Sequence, residues 1–198
     1  MRGFLVCLEG LDQSGKKSTA RIIAARLMKI GYEVEVISFP DYNTPIGKEI
    51  RMFLQGKRDY GPEVRQFLYV ANRFERKKDI QSWLDMGKVV IADRYTPSGI
   101  AYGLANGLDV DWMVNLERGL PNADVVIVID VPAEVAYHRE KKKDVYERDI
   151  LFQRKVRAAY LSLAKKFNWV IINGDRPLDE VAEKVYDVVL RSIKQARS

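Results

Sequence analysis

Three stretches of the chain are almost wholly apolar and have the length of a short strand. They are Phe4–Leu8, Val89–Ala92 and Val125–Ile129, and two shorter or mixed runs, Glu33–Ile37 and Trp169–Ile172, join them. A helical pattern, or a loop that leads to one, follows each run. Because parallel strands buried on both faces are continuous apolar runs, this alternation predicts an α/β fold with a central parallel five-stranded sheet and helices on both faces.

Helical patterns separate these runs. The first helix is predicted over about 15–30, because Gly31 supplies a stop. A long helix is predicted over 62–86, and two more over 149–167 and 177–195. No repeat, low-complexity tract or linker interrupts the pattern, so a single domain over 1–198 is expected. The apolar residues spaced along the long helix are Phe67, Val70, Phe74 and Ile80.

Composition narrows the class of protein. Of the 198 residues, 47% are apolar and 30% charged, which excludes a disordered chain. The net charge of +6 suits nucleotide phosphates. Outside residues 138–149 the chain has no basic patch interleaved with aromatic residues, so nucleic acid is not the expected partner. The one cysteine, Cys7, lies in an apolar run and indicates a reducing compartment. Residues 1–3 lack a signal-peptide layout and no run is long enough to span a membrane, so a cytoplasmic protein without membrane contact is expected.

A glycine-rich loop lies between the first predicted strand and the first predicted helix. Gly10, Gly15 and Lys16 have the G-x-x-x-x-G-K spacing of a P-loop, in the strand–loop–helix context that this motif requires. Glycines let backbone N–H groups point at phosphate oxygens, and the helix N-terminus adds its dipole. The sequence therefore predicts that Lys16 reaches the β- and γ-phosphates of ATP. The ATP-binding residues predicted here are Gly10, Leu11, Asp12, Gln13, Ser14, Gly15, Lys16, Lys17, Ser18 and Thr19.

The last position of the motif departs from the pattern. Lys17 stands where a Ser or Thr hydroxyl ordinarily ligates Mg²⁺. Either Ser18 or Thr19 supplies the hydroxyl instead, or acidic residues hold the metal through water. Asp93 and Glu9 are the acidic candidates, because each comes at the carboxyl end of a predicted strand. The magnesium ligands expected are Ser18, Asp93 and Glu9.

Residues 138–149 are almost entirely polar. Taken alone, a charged run of this kind is a solvated connection. In a nucleotide-binding fold it has a second interpretation, a short mobile lid that closes over phosphates. We expect a lid over approximately 138–149.

Further motifs narrow the class of P-loop protein. The N-K-x-D motif of Ras-type GTPases does not occur, and the chain is short for a motor domain. Several short motifs follow one another along the chain, namely Glu9–Asp12, Phe39-Pro40, Ile46-Gly47, Ala71–Glu75, Asp93–Tyr102, Gly119–Asp124, Tyr146-Glu147 and Phe152-Gln153. In this order they are typical of thymidylate kinases, and the chain resembles that family along nearly its whole length.

The resemblance implies ATP- and Mg²⁺-dependent phosphorylation of dTMP to dTDP. In the family, the counterparts of Arg94 and Asp12 bind the acceptor phosphate and the 3′-hydroxyl, and that of Tyr102 crowds the 2′ position. The counterpart of Tyr69 stacks on thymine, and that of Arg73 hydrogen-bonds its edge. Without the family match, the preferred interpretation of Tyr69 and Phe74 is helix core, and Arg73 could be one half of a surface pair with Glu75 or Asp79. The dTMP-binding residues predicted are Asp12, Phe39, Pro40, Tyr69, Asn72, Arg73, Arg94, Ser98, Gly99, Tyr102 and Tyr146.

The acceptor of a phosphoryl group is already an anion here, so positioning and charge neutralisation carry the mechanism. The family places a catalytic arginine either in the P-loop, where this chain has Gln13, or in the lid, and we expect the lid arrangement. Arg139 and Arg176 are predicted to contact the adenine of ATP. The catalytic residues predicted are Lys16, Arg94, Asp12 and Arg148.

Tyr42 is a further departure from the family pattern, since many relatives carry an arginine there that contacts dTMP. Arg51 is a candidate substitute for that arginine.

Two other functions stay open: a nucleoside monophosphate kinase with a different acceptor, and a catalytically weak nucleotide-binding paralogue. Lys17, Gln13 and Tyr42 favour the second of these. Relatives are usually homodimers through packed helices, so a homodimer is expected.

Overall fold

The structure is a computed structural model that describes residues 2–139 and 144–197. Within these residues lies a parallel sheet of five strands in the order β2-β3-β1-β4-β5. Each strand begins and ends within one residue of its predicted position, which confirms the predicted sheet. The strands are β1 (Phe4–Glu9), β2 (Val34–Ser38), β3 (Val89–Asp93), β4 (Val125–Asp130) and β5 (Val170–Asn173).

Helices cover both faces of the sheet. The predictions over 15–30, 149–167 and 177–195 are confirmed as α1, α8 and α9, whereas the shorter helices α2, α5, α6 and α7 were not predicted. The helices are α1 (Lys16–Lys29), α2 (Pro45–Leu54), α3 (Pro62–Glu75), α4 (Lys77–Asp85), α5 (Thr96–Ala105), α6 (Val110–Leu116), α7 (Ala133–Arg139), α8 (Ile150–Phe167) and α9 (Leu178–Arg197). None of the helices in the described ranges is both long and apolar enough to cross a membrane.

Strand β1 divides its side chains between two cores, as the alternation of a strand requires. Val6 and Leu8 pack with α1 and α9 on one face, and Leu5 and Cys7 pack with α4 on the other. Cys7 is fully buried, as predicted for a strand residue, and burial raises the pKa of its thiol well above the usual range. A thiol in that state is inert.

The helix predicted over 62–86 is in fact two helices. Arg76 lies between α3 and α4 with φ −103° and ψ 1°, and its N–H donates to the carbonyl of Arg73, which tightens the last turn. Its guanidinium lies 3.4 Å from Asp41 and 3.0 Å from Asp79. This break redirects the chain, so that the apolar side of α4 packs against the sheet independently of α3.

Helix α3 turns its polar side inward, the reverse of an ordinary surface helix. Gln66, Asn72 and Arg73 are buried, whereas Phe67 and Phe74 are 50% and 38% exposed. The alternative of Phe74 as a helix-core residue is therefore wrong for this chain. The buried polar residues face the carboxyl end of the sheet, where the candidate site lies.

Candidate active site

A cavity of about 530 Å³ opens at the carboxyl ends of β1, β2 and β3. This edge is where ligands bind in open α/β sheets, and the volume is typical of small-molecule sites. The P-loop, α3, α5 and residues after 143 contribute to its wall, and every predicted dTMP-binding residue lines it. The lining residues are Asp12, Gln13, Gly15, Lys16, Lys17, Ser18, Ser38, Phe39, Pro40, Tyr42, Leu54, Tyr69, Asn72, Arg73, Asp93, Arg94, Tyr95, Ser98, Gly99, Tyr102, Asp144 and Tyr146.

The P-loop backbone depends on its glycines. Gly10 and Gly15 have φ values of 134° and 92°, in the region that L side chains rarely adopt. A Cβ on Gly10 would in addition collide with the carbonyl oxygen of Ile129. The loop therefore wraps into the helix N-terminus as the motif predicts. Six of the predicted ATP-binding residues line the cavity, and four, Gly10, Leu11, Ser14 and Thr19, are buried away from its wall.

Lys16 lies folded against the loop. Its side-chain ammonium donates to the carbonyl oxygens of Leu11 at 2.6 Å and Gly10 at 3.2 Å, and to the hydroxyl of Ser14 at 3.3 Å. Burial and the charge of Arg94 lower the pKa of Lys16 to about 8, although nearby carboxylates such as Asp12 oppose the shift. A buried cation held only by neutral groups is well placed to bind an anion.

Arg94 is fixed by an unusual backbone and by four side chains. Its φ of 68° is left-handed, which costs a residue with a side chain about 1–2 kcal/mol. Its guanidinium donates to Asp12 at 2.7 Å and to the hydroxyls of Ser98 and Tyr160, both at 3.1 Å. A longer bond of 3.4 Å reaches the hydroxyl of Tyr102. Burial opposes the charge of Arg94, but these neighbours, Asp12 foremost, raise its pKa well above the usual range.

Asp12 completes this network. It accepts from Arg94 on one oxygen and from the hydroxyl of Tyr102 at 3.0 Å on the other. Burial alone would raise the pKa of Asp12, but the charges of Arg94 and Lys16 and these hydrogen bonds lower it to about 2. Two residues predicted to bind different parts of dTMP, its phosphate and its 3′-hydroxyl, therefore hold each other in place.

Glu9 supports this network from below the cavity. Its carboxylate accepts from the backbone N–H of Tyr95 at 2.8 Å and from the hydroxyls of Ser98 and Tyr160 at 2.5 and 3.1 Å. Burial raises its pKa, although these hydrogen bonds and Arg94 oppose the rise. Glu9 is fully buried and does not line the cavity, so the prediction that it reaches the metal is corrected: it positions the turn that carries Arg94.

Arg73 has a buried partner that the sequence did not reveal. Its Nε donates to Glu117 at 3.0 Å and its Nη2 also bonds this carboxylate, so the pairing with Glu75 or Asp79 considered above was wrong. A Cβ on Gly99 would lie 2.6 Å from Nη2 of Arg73, which explains the glycine at that position. Arg73 keeps further N–H donors on the cavity wall, where Tyr69 lies one helical turn away.

Asn72 holds the segment that follows β2. Its side-chain amide accepts from the N–H of Asp41 at 2.8 Å and donates to Thr44 at 2.8 Å and Glu75 at 3.0 Å. Thr44 in turn caps α2 by accepting from the N–H of Gly47 at 3.1 Å. The contact of Asn72 with dTMP stays a prediction. Its hydrogen bonds show that it holds the segment beside Phe39 and Pro40 in place.

Part of the predicted lid over 138–149 lies within the described residues. His138 and Arg139 belong to α7, and residues 140–143 lie outside the described residues. Beyond them, Asp144 accepts from the N–H groups of Tyr146 and Glu147 at 2.8 and 2.9 Å. Tyr146 is buried and stacks on Phe152 at 5.1 Å between ring centroids. The C-terminal part of this segment is therefore anchored to the cavity, and Asp144 is a lining residue that sequence reasoning missed.

The arginines predicted for the lid and for the adenine lie outside the cavity wall. Arg148 and Arg176 are exposed, and neither lines the cavity. Arg139 donates to the carbonyl oxygen of Gln13 at 3.1 Å and lies 3.7 Å from Asp175. It therefore links the P-loop to the loop after β5. The structure does not bring Arg148 to the reacting groups, so its catalytic role stays a prediction.

The cavity lacks the hydroxyl by which the P-loop motif ordinarily holds a magnesium ion. An ammonium, that of Lys17, stands at the position of this hydroxyl, and Glu9 is engaged in three internal hydrogen bonds. In the described part of the chain, no group of three or more His, Cys, Asp or Glu residues is arranged to hold a metal. Ser18 and Asp93 do line the cavity, and their role as ligands stays a prediction.

Comparisons with known proteins agree with this site. The sequence profile of the family described as thymidylate kinase matches residues 8–185. A thymidylate kinase of Arabidopsis thaliana is 35% identical over 98% of this chain and 73% of its own length. A probable thymidylate kinase of Pyrococcus abyssi is 34% identical over 96% of this chain and 97% of its own. The solved structure of the Candida albicans thymidylate kinase superposes with a TM-score of 0.85 at 30% identity, covering 96% of this chain and 92% of that one. The chain therefore belongs to the thymidylate kinase family.

Proposed function

We propose that this chain transfers the γ-phosphoryl group of ATP to the 5′-phosphate of dTMP. Membership of the family confirms the predicted class of enzyme, a nucleoside monophosphate kinase. The observation that carries the choice of acceptor is the network of Asp12, Arg94 and Tyr102 beside Tyr69 and Arg73 in one cavity. It combines a fixed guanidinium for a phosphate, a carboxylate for a sugar hydroxyl, and an aromatic ring with N–H donors for a base.

The mechanism requires little proton transfer, because the attacking oxygen belongs to an ionised phosphate. Arg94 supplies a fixed positive charge to this phosphate, and its buried hydrogen bonds to Ser98 and Tyr160 prevent it from moving with the substrate. Lys16 exchanges its carbonyl partners for phosphate oxygens of ATP and stabilises the charge that develops during transfer. The P-loop N–H groups orient the donor in line with the acceptor.

A coupled assay of ATP consumption with dTMP, dUMP, UMP, CMP and thymidine tests the proposal. We expect dTMP to be the preferred acceptor and the unphosphorylated nucleoside to be inactive, since Arg94 would lack its ligand. The Candida albicans thymidylate kinase is described as having broad substrate specificity, so the whole series has to be measured here. Equal or better kcat/KM with an acceptor other than dTMP would contradict the assignment.

The alternative of a catalytically weak nucleotide-binding protein rests on Lys17, because this residue alters the motif itself. Comparison of the wild type with Lys17→Thr decides between the two functions. Efficient turnover by the wild type supports the enzyme. An inactive wild type whose activity the substitution restores would support the binder. The cytoplasmic location expected from the sequence stays a prediction.

We also propose that the chain forms a homodimer through α3. Val64, Phe67 and Phe74 are 45%, 50% and 38% exposed, and with Ala71 they are spaced along one side of this helix. Trp112 packs edge-on against Phe67 with 5.6 Å between ring centroids, which extends the apolar surface toward α6. Exposed aromatic residues that share one face are typical of an interface.

Phe67→Glu tests this interface by size-exclusion chromatography with light scattering. A charge at the centre of the apolar face should convert a dimer into a monomer. Met28→Glu is the matched control, since Met28 is 51% exposed on α1, which covers the opposite face of the sheet. A wild type that is monomeric at high concentration would contradict the proposal.

A further inference from the structure

Lys17 occupies the one P-loop position where the chain departs from the motif in charge as well as in shape. The motif places a neutral hydroxyl there, and that hydroxyl serves Mg²⁺. An ammonium has no lone pair to offer a metal and repels it. Two nearby carboxylates are already engaged, since Glu9 accepts three internal hydrogen bonds and Asp12 is paired with Arg94. Of the acidic residues predicted to hold the metal, only Asp93 lines the cavity.

The hydroxyl of Ser18 cannot take the place of the missing hydroxyl, because its side chain projects from the helix in a different direction. Successive side chains of an α-helix are separated by about 100°, because there are 3.6 residues in a turn. Lys17 and Ser18 both line the cavity from the first turn of α1, but they project from it in different directions. Thr19 is fully buried and away from the cavity wall.

The charge around Lys17 is not balanced within the described part of the protein. Helix α1 begins with two lysines and has no acidic residue in its first turn, although the N-terminus of a helix favours negative charge. The ammonium of Lys16 is bonded to the loop, whereas Lys17 is exposed on the cavity and makes no ion pair with a described residue. A polyanion bound at this helix end would relieve the repulsion between these charges.

We propose that Lys17 is a donor-binding residue that contacts the polyphosphate of ATP directly and takes over the charge neutralisation that a hydroxyl-held magnesium ion otherwise supplies. The inference rests on the proposed function, since it assigns the donor part of the same cavity. Its consequence is that nucleotide binding by this chain depends little on a divalent cation. An ammonium contacts phosphate as a mobile point charge, so it does not need the fixed geometry of a metal shell.

Calorimetric binding of a non-hydrolysable ATP analogue, in EDTA and in saturating Mg²⁺, tests the inference. We expect the wild type to bind with affinities that differ by less than about threefold between the two conditions. Lys17→Met should lose about tenfold in EDTA, the change that about 1.4 kcal/mol produces. Lys17→Thr should lose as much in EDTA and recover in Mg²⁺, because it restores the hydroxyl. Lys29→Met, at the other end of α1, is the control for loss of a surface charge.

Two results would overturn the inference. One is a wild type whose affinity rises more than tenfold with Mg²⁺, and the other is a Lys17→Met variant that binds in EDTA within threefold of the wild type. The measurement contains no acceptor, so it stands apart from the proposed function. Failure of that function would instead appear as absent dTMP turnover in a chain that binds the analogue normally.

Discussion

The two parts of the cavity differ in how far their side chains are already paired. In the acceptor half, Arg94 and Asp12 bond each other, and Tyr102 bonds both. In the donor half, Lys17 and Ser18 line the cavity without a side-chain bond to any described residue. The acceptor half is thus assembled before the substrate arrives, whereas the donor half awaits a polyanion.

The difference has a physical reason. A nucleoside monophosphate must be distinguished by its base, sugar and phosphate, and specificity of that kind needs groups held in place before binding. The triphosphate group is the same in every nucleoside triphosphate. Cations on an open helix end are therefore sufficient to bind it. We therefore expect substitutions in the acceptor half to have larger effects on catalysis than those elsewhere around the cavity.

Arg94→Ala should have the largest effect. It removes the acceptor-phosphate cation and leaves the carboxylates of Asp12 and Glu9 without their positive partner. Loss of one preorganised donor to a reacting group costs about 10²- to 10³-fold in kcat, so kcat/KM for dTMP should fall by at least about 10²-fold. Steady-state kinetics measure this, with circular dichroism to verify folding.

Two variants sharpen that result. Arg94→Lys keeps the positive charge but loses the planar set of N–H donors of the guanidinium. Its kcat/KM for dTMP should lie between the values of the wild type and Arg94→Ala. Arg154→Ala breaks the exposed pair with Glu134, and should leave kcat/KM almost unchanged. If Arg94→Ala retained kcat/KM within tenfold, the acceptor half would not be organised around this arginine.

Asp12→Asn should reveal the ion pair as a pH-dependent difference in stability. The carboxyl has a pKa of about 2 in the folded chain and 3.8 as a reference value. Because the folded pKa is the lower one, the stabilisation is complete above pH 3.8 and is lost as the pH falls through about 2. We expect the variant to be about 1–2 kcal/mol less stable at neutral pH, a moderate value since water reaches part of the carboxylate.

Urea unfolding of both proteins at a series of pH values measures this difference. The gap should stay constant from neutral pH to about 4 and narrow below it. Asp111→Asn, which removes an exposed partner of Lys166, is the control and should show no such gap. A gap that is independent of pH down to 2 would show that the charge of Asp12 is not what stabilises the fold.

The strands and the P-loop could be predicted because their signals are local. A short continuous apolar run rich in β-branched residues favours a buried strand, and Gly10, Gly15 and Lys16 identify one loop geometry. The break at Arg76 was missed because an arginine carries no helix-stop signal, and only its contacts with Asp41 and Asp79 reveal it.

The residues that line the acceptor half were predicted from the resemblance to a family. The residues that hold them in place were not predicted. Glu117 and Tyr160 are 44 and 66 residues away in sequence from the arginines they bond, and nothing in their local pattern distinguishes them from surface or core residues. Glu9 was misplaced for a related reason, since a carboxylate at a strand end fits a metal site and a buried acceptor equally well. Long-range pairing of this kind requires the fold.

Tyr102→Phe removes one hydroxyl from the acceptor half and should have a smaller effect. The hydroxyl donates to the ionised Asp12 at 3.0 Å, and a hydrogen bond to a charged group contributes about 1.5–3 kcal/mol. Only part of this is lost from dTMP binding, because Asp12 keeps its bond to Arg94. KM for dTMP should therefore rise about two- to tenfold, as Asp12 becomes less well fixed for the sugar. Tyr32→Phe, whose ring packs near Arg197, is a matched control. An unchanged KM would mean that Arg94 alone suffices to hold Asp12.

Arg51→Ala should have the smallest effect, because it acts through a ring at the edge of the acceptor half. The guanidinium of Arg51 lies 4.7 Å from the ring centroid of Tyr42, which lines the cavity at the position where many relatives have arginine. An exposed cation–π contact contributes about 0.5–1 kcal/mol, so KM for dTMP should rise about two- to fivefold with kcat unchanged. Arg58→Ala, which breaks a bond to Glu49 beyond the same helix, is the control. If the KM of Arg51→Ala for dTMP equals that of this control, Arg51 does not support Tyr42 in binding dTMP. Among the arginines tested, only Arg94 would then bind the phosphate of dTMP.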